Sequence, residues 1–92
     1  MTDDDAYELR VTAPAQRQLA RLPEGTAAAI VEFMLTALVA NPHRVGGRLQ
    51  RELAGLHSAR RGAYRVVYEI DEEHQAVIVL RIDHRSRVYR SR

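Results

Sequence analysis

Hydrophobic and polar positions alternate with two different periods along the first half of the chain. Residues 7–12 alternate with period two, which is typical of a strand, and Thr12 is a suitable N-cap for a helix over residues 13–22. From residue 24 to residue 40 the apolar side chains recur instead at steps of three and four, as in an amphipathic helix. The first half therefore predicts a strand followed by two helices.

The second half of the chain predicts mainly strands. Residues 41–55 contain Pro42 and three glycines, a composition typical of a loop with little regular structure. The polar residues 71–75 have the length and composition of a hairpin loop between two strands. We expect three strands near 56–60, 64–70 and 76–83, and a short strand or tail over 87–92.

Two helices followed by consecutive hairpins predict an α+β fold, with two N-terminal helices packed on one face of a small antiparallel sheet. Alternation in the two long strands predicts a helix-facing set of Tyr64, Val66, Tyr68, Ile70, Ile78, Leu80 and Ile82. The opposite face would carry Arg65, Val67, Glu69, Val77, Val79, Arg81 and Asp83. A half-apolar, half-basic surface on so small a domain is typical of a face that a partner covers.

Length and composition narrow the class of protein. The 92 residues suffice for one domain, 1–92, and the hydrophobic fraction of 46% is ordinary for a globular chain. The absence of cysteine excludes a disulfide framework and a cysteine–zinc site. No apolar run approaches the ~20 residues of a membrane helix, and the acidic start is unlike a secretory signal. We therefore expect a cytoplasmic protein without a membrane partner.

Charge is distributed unevenly within the net value of +2. Residues 1–43 carry three arginines against six acidic residues, a net charge of −3, whereas residues 44–92 carry eleven against six, a net charge of +5. All fourteen basic residues are arginines. The C-terminal half is therefore electropositive, and its cations have the planar donor geometry that suits bidentate binding.

Two clusters in this basic half suggest a nucleic-acid target. Arg65 lies in a strand-like run of Tyr and Val, where a guanidinium is costly unless it is paired or faces a groove. A second cluster of Arg, His and Tyr follows within residues 83–90 and can fold back beside it. Converging arginines with a nearby tyrosine and histidine indicate the phosphate of a nucleic acid.

The motifs and the order of elements resemble the RelE/ParE superfamily of bacterial toxins over nearly the whole chain. The matching motifs are Leu22-Pro23, Asn41-Pro42, the segment Gly55-Leu56-His57-Ser58-Ala59-Arg60-Arg61-Gly62-Ala63-Tyr64-Arg65-Val66-Val67-Tyr68, and His84-Arg85 with Val88-Tyr89-Arg90. The match is closer to the RelE branch, which cleaves mRNA on the ribosome, than to the ParE branch, which poisons DNA gyrase. The resemblance also implies a fold similar to that of the microbial RNases.

The family chemistry is an attack of an RNA 2′-hydroxyl on its own 3′-phosphodiester, which needs a base, cations and an acid. The resemblance implies no cofactor and no metal ion. By this resemblance Arg65 holds the scissile phosphate, Arg85 stabilises the phosphate or the leaving group, and Tyr89 stacks on or orients the nucleotide. We expect further contacts to RNA from Arg60, Arg61, Arg81 and His57.

The general base is the part of this chemistry for which the resemblance supplies no residue. Ser58 stands where some relatives carry a basic lysine, and a serine cannot take the 2′ proton unaided. His84 and His57 are the alternatives, because an imidazole with a pKa of ~6.5 suits proton transfer near neutral pH. We therefore place His84 with Arg65, Arg85 and Tyr89 among the predicted catalytic residues.

Three functions remain open at this point. The first is the toxin of a type II toxin–antitoxin system that cleaves mRNA in the ribosomal A site. The second is a ParE-like toxin that inhibits gyrase without nuclease activity. The third is an inactive member that acts only in a repressor complex. In each case we expect a cognate antitoxin as partner, with the toxin–antitoxin complex binding operator DNA through the antitoxin.

Overall fold

The computed structural model describes residues 6–49 and 55–84. In chain order the elements are β1 (Glu8–Val11), α1 (Ala13–Arg21), α2 (Glu24–Phe33), α3 (Pro42–Val45), β2 (Gly47–Arg48), β3 (His57–Arg61), β4 (Tyr64–Asp71) and β5 (Ala76–His84). A π-helical turn, Met34–Leu38, continues α2. The predicted tail over 87–92 lies outside the described residues.

The five strands form one sheet in the order β1-β5-β4-β3-β2. The prediction of an α+β fold, with helices at the N-terminus and a sheet after them, is confirmed. The sheet is mixed, however, because β1 runs parallel to β5 while the other neighbours are antiparallel. β1 and β5 are far apart in the chain, so no hairpin forces them to run in opposite directions.

The first predicted helix begins at the residue that the sequence indicates and ends one residue before its predicted end. Thr12 caps α1 as predicted, because its Oγ1 accepts a hydrogen bond from the backbone N–H of Ala15 at 3.3 Å. α1 ends at Arg21, two residues before Pro23. No helix in the described part of the chain is long and apolar enough to cross a membrane.

The segment 41–55 contains more regular structure than the sequence predicts. α3 and β2 lie within it, and the hydroxyl of Tyr68 donates a hydrogen bond to the backbone carbonyl of Pro42 at 2.7 Å. A Cβ at Gly46 would overlap both that hydroxyl and the carbonyl of Ser58, so only glycine fits this approach. The loop is therefore held onto the sheet by Tyr68.

The core lies between the helices and one face of the sheet. Its buried members come from α1, the long second helix and the three central strands: Ala15, Ile30, Phe33, Met34, Leu38, Ala59, Val66, Tyr68, Val77, Val79 and Ile82. Val66 and Tyr68 face the helices as predicted. The described face of β4 opposite to them carries Arg65, Val67 and Glu69.

A bulge in β5 makes part of the facing prediction wrong. Val67 pairs with Arg81 whereas Tyr68 pairs with Val79, so Leu80 is an additional residue that resets the alternation. Val77 and Val79 therefore pack in the core together with Ile82. Ile78 and Leu80, predicted in the core, are only half-buried and take no part in it. Arg81 and Asp83 keep their predicted place beside Val67 and Arg65.

Candidate nucleic-acid interface

Strands β3, β4 and β5 align two rows of side chains on the face of the sheet opposite the helices. Cross-strand pairing places Arg60 beside Arg65 and Arg65 beside Asp83 in one row, and Ser58, Val67 and Arg81 in the next. We call these six residues the arginine face. Neighbours within a row have Cβ atoms about 5 Å apart. The described part of this face therefore brings Arg65 and Arg81 together as the sequence predicts, and it adds Arg60 to them.

The charges of the arginine face favour an anionic ligand. Arg60 and Arg65 are directly opposite each other on neighbouring strands, an arrangement that costs stability when both charges are alike. An anion placed between the two guanidinium groups would turn that repulsion into attraction. Val67, in the neighbouring row, is fully buried, so it contributes no exposed surface to the arginine face.

Asp83 is the acidic member of the arginine face. Its Oδ2 accepts a hydrogen bond from Nε of Arg81 at 2.5 Å, and the side chains are 36% exposed for Arg81 and 15% exposed for Asp83. The two residues are two positions apart on β5, so both side chains project from the same face. The alternation along the strand predicts Asp83 on this face, but no motif in the sequence indicates a role for it.

Arg61 lies on the other face of the sheet from Arg60. Its guanidinium carbon stands 3.8 Å from the ring centroid of Phe33 on α2, and its Nη1 donates to the backbone carbonyl of Arg60 at 2.7 Å. A cation over an aromatic ring in this geometry stabilises the contact between sheet and helix. The structure therefore does not bring Arg61 to the arginine face with Arg60.

His84 also lies on the helix side of the sheet. Its ring meets that of Tyr64 edge to face, with centroids 5.2 Å apart. Both line a cavity of about 420 Å³ at the end of β5, together with Gln18 and Arg21 of α1. Gln18 closes α1 onto this end of the strand, because its Oε1 accepts from the backbone N–H of Ile82 at 2.6 Å. The sheet thus separates the His84 ring from the arginine face.

His57 stacks on a core residue away from the arginine face. Its ring lies 5.5 Å from that of Tyr68 and 6.1 Å from that of His43. Burial lowers the pKa of His57, and the nearby His43 and Arg48 lower it further. Its Nδ1 is buried without a hydrogen-bond partner in the described part of the chain. The structure therefore separates His57 from Arg65.

A polar cluster that no sequence motif indicates joins residues in or next to three separate elements. Glu72, in the turn between β4 and β5, accepts hydrogen bonds from the hydroxyl of Tyr7 at 3.0 and 3.1 Å and contacts the Nε2 of His43. The hydrogen bond from His43, followed by that from Tyr7, lowers the pKa of Glu72. Burial, together with the bond to Glu72, raises the pKa of Tyr7. The residues are too far apart in sequence for any spacing to indicate this contact.

Two predicted site residues, Arg85 and Tyr89, lie outside the described residues, and their roles remain predictions. Ser58 lies on the arginine face, where its cross-strand partners are Val67 and Gly47. It therefore shares this surface with Arg60, Arg65 and Arg81.

Comparison with known proteins shows the family to which this chain belongs and supports its fold. Residues 9–89 match the family described as the ParE toxin of the type II toxin–antitoxin system parDE. Toxin RelE of Mycobacterium tuberculosis is 54% identical over 90 residues, which cover 98% of this chain and 93% of that toxin. Toxin RelG of the same organism is 52% identical over 84 residues, which cover 91% of this chain and 97% of that toxin. The chain therefore belongs to the RelE/ParE superfamily of type II toxins, and within it to the RelE family.

Solved structures show the same architecture. The toxin chain in the RelBE2 toxin–antitoxin complex of M. tuberculosis superposes with a TM-score of 0.84 at 52% identity, over 87% of this chain and 99% of that one. The archaeal RelE–RelB complex of Pyrococcus horikoshii matches with a TM-score of 0.71 over 89% of this chain and 98% of that one. At 23% identity, the second match supports the fold alone.

Proposed function

We propose that this protein is a toxin that cleaves mRNA on the ribosome and so stops translation. The observation that carries the proposal is the arginine face, where Arg60, Arg65 and Arg81 stand on three neighbouring strands. A phosphodiester gains more negative charge in the transition state than in the ground state. Preorganised cations at that point stabilise the transition state preferentially.

The proposed reaction is a transesterification within the RNA. The 2′-oxygen forms a bond to the adjacent phosphorus, the bond from phosphorus to the 5′-oxygen breaks, and the 2′ proton leaves while the 5′-oxygen gains one. The products are a 2′,3′-cyclic phosphate and a 5′-hydroxyl. In this scheme Arg65 binds the scissile phosphate, and Arg60 and Arg81 bind it or the neighbouring phosphate.

Arg85 and Tyr89 complete the proposed site by resemblance to the family. Arg85 would stabilise the phosphate or the leaving group, and Tyr89 would stack on or orient the nucleotide. His84 directly precedes Arg85 and remains the proposed proton-transfer residue. Because the His84 ring contacts Tyr64 on the helix side of the sheet, it lies away from the arginine face. We therefore assign most of the rate acceleration to the cations and to alignment of the substrate.

We further propose a protein antitoxin as the partner of this toxin in the cytoplasm. RelE-family toxins of M. tuberculosis and P. horikoshii have been solved in complexes of toxin with antitoxin. An antitoxin that covers the arginine face would exclude RNA from it. Binding of operator DNA by the complex, through the antitoxin, belongs to the same proposal.

Primer extension on cellular mRNA after induction of the toxin tests the proposal. We expect cuts within translated messages, at positions that occupy the ribosomal A site. Arg65→Ala should lower cleavage by about 10²–10³, the loss that follows removal of one donor to a developing oxyanion. Arg61→Ala is the matched control, because Arg61 faces Phe33 and should leave the cut pattern in place.

Inhibition of DNA gyrase is the second candidate. The match to the ParE toxin family favours it, as does Ser58 in the position of the lysine of some relatives. This candidate predicts DNA damage after induction without cuts in mRNA. It also predicts that Arg65→Ala leaves toxicity unchanged unless Arg65 contacts gyrase directly.

A further inference from the structure

We propose that Asp83 is a positioning residue, which holds Arg81 and Arg65 in the orientation that a phosphodiester requires. The proposal rests on the function proposed above and assigns a role to an acidic side chain on a surface that otherwise collects cations. A carboxylate repels the phosphate that such a surface would bind. We therefore expect Asp83 to aid cleavage in a way that outweighs its repulsion of the phosphate.

The contact with Arg81 supplies the first part of the argument. Oδ2 of Asp83 accepts from Nε of Arg81 at 2.5 Å, and the Asp83 side chain is only 15% exposed. A bond through Nε engages the side edge of the guanidinium and leaves the end-on pair of N–H donors, one on each terminal nitrogen, directed away from the carboxylate. It also restricts a long side chain that would otherwise sample many rotamers. Arg81 is thus fixed with its terminal donors available for a ligand.

The strand register supplies the second part. Asp83 is the cross-strand partner of Arg65, and Arg60 stands on the other side of Arg65 in the same row. The carboxylate therefore lies next to the central arginine and opposes the repulsion that Arg60 exerts on it. A single acidic group is in position to orient cations on two strands.

The bulge in β5 supplies the third part. The additional residue, Leu80, shifts the alternation so that Arg81 and Asp83 project from the same face as Arg65 and Val67. Without that residue, a strand with Val77 and Val79 in the core would direct Arg81 and Asp83 toward the helices. The backbone irregularity thus places this ion pair on the arginine face.

The test compares Asp83→Asn with Glu69→Gln in steady-state cleavage of mRNA on programmed ribosomes. Both variants remove one negative charge from the same face of the sheet, but Glu69 lies beyond the bulge, opposite Ile78. For Asp83→Asn we expect kcat to fall by about 10-fold or more, since a small misplacement of reacting groups can cost up to about 10². KM should stay unchanged or fall, because a repulsive charge has been removed. Glu69→Gln should retain the wild-type kcat.

A double-variant cycle separates positioning from a general effect on the fold. If Asp83 acts through Arg81, adding Asp83→Asn to Arg81→Ala should lower kcat much less than it does in the wild-type background. Full additivity of the two losses would overturn the proposal, as would a wild-type kcat for Asp83→Asn. Loss of an acidic inflection from the pH profile of Asp83→Asn would also overturn it, because Asp83 would then be a base.

The experiment also distinguishes this proposal from the function on which it rests. If the wild-type protein cleaves no mRNA on ribosomes, the proposed function fails. If the wild type cleaves and Asp83→Asn cleaves equally well, only the role of Asp83 fails. Circular dichroism melting curves of each variant, compared with the wild type, identify any loss of folding. If Asp83→Asn does not fold, Asp83→Glu takes its place in the cycle, and a loss of kcat that adds in full to the loss in Arg81→Ala counts against positioning.

Discussion

Arg60 and Arg61 are consecutive cations that the structure assigns to opposite faces of the sheet, and they should respond differently to removal. Arg60 lies on the arginine face beside Arg65, whereas the guanidinium of Arg61 covers Phe33 at 3.8 Å. Arg60→Ala should therefore weaken binding of single-stranded RNA. Arg61→Ala should instead weaken the contact between the sheet and α2.

The sizes of both effects follow from general magnitudes. One phosphate contact to a single strand contributes about 0.7 to the slope of log affinity against log salt. When salt rises from about 50 to about 200 mM, the RNA affinity of both proteins should fall. The fall for Arg60→Ala should be smaller than that for the wild type by a factor of about 2–3. A cation–π contact at an exposed site contributes about 0.5–1 kcal/mol. Arg61→Ala should lower the melting temperature by about 2–8 °C in a domain of this size.

Fluorescence anisotropy with a labelled 2′-O-methyl RNA measures the salt slope without cleavage, and thermal denaturation measures stability. The Arg61→Ala variant should keep the wild-type salt slope. Arg60→Ala should not lower the melting temperature and should raise it slightly, because it removes the repulsion from Arg65. An equal loss of slope in both variants would contradict the assignment of Arg61 to the helix side. An unchanged slope in Arg60→Ala would contradict RNA binding by the arginine face.

Two further predictions concern stability. Tyr68→Phe removes the buried hydroxyl that donates to the carbonyl of Pro42 at 2.7 Å. Thermal denaturation should show that the free energy of unfolding falls by about 1–3 kcal/mol, the cost of an unsatisfied buried acceptor. An unchanged melting temperature would contradict this role of the hydroxyl. Burial lowers the pKa of His57 below its ordinary 6.5, so the folded state takes up this proton less readily than the unfolded chain. The free energy of unfolding should therefore decrease as pH falls below about 6.5. Denaturant titrations of His57→Gln should show a smaller decrease than those of the wild type. An equal decrease in both proteins would assign the pH dependence to other groups.

The sequence predicted those elements whose signals are local. Thr12 caps α1, and the period-two runs became β4 and β5 within a residue of their predicted ends. The parallel pairing of β1 with β5 was not predictable, because alternation within a strand carries no information about the direction of its neighbour. The regular structure in 41–55 depends on the contact of Tyr68 with Pro42, which joins residues far apart in the chain.

The bulge explains why the residues of β5 before Arg81 were assigned to the wrong faces. Residues Val77, Ile78, Val79 and Leu80 are all apolar, so the pattern gives no indication of which pair faces the core. An inserted residue without glycine or proline leaves no mark in the sequence. Tertiary packing against α1 and α2 decides the assignment instead.

The candidate site shows the same division between local and distant information. Successive side chains of a strand point to opposite faces, so the sequence alone was enough to predict that Arg60 and Arg61 lie on different faces of the sheet. The pairing of Asp83 with Arg65 depends on the register between β4 and β5, which the wrong assignment of Leu80 obscured. No sequence spacing indicates the contact of Glu72 with Tyr7.

The most direct test of the central claim is the chemistry of cleavage on purified programmed ribosomes. The wild-type protein should cut mRNA in the A site and leave a 2′,3′-cyclic phosphate on the upstream product and a 5′-hydroxyl on the downstream product. Replacing the 2′-hydroxyl at the cleaved nucleotide by hydrogen should abolish the cut, because the attacking oxygen is then absent. Cleavage of the 2′-deoxy message, or no cleavage by a folded toxin that inhibits gyrase, would contradict the account.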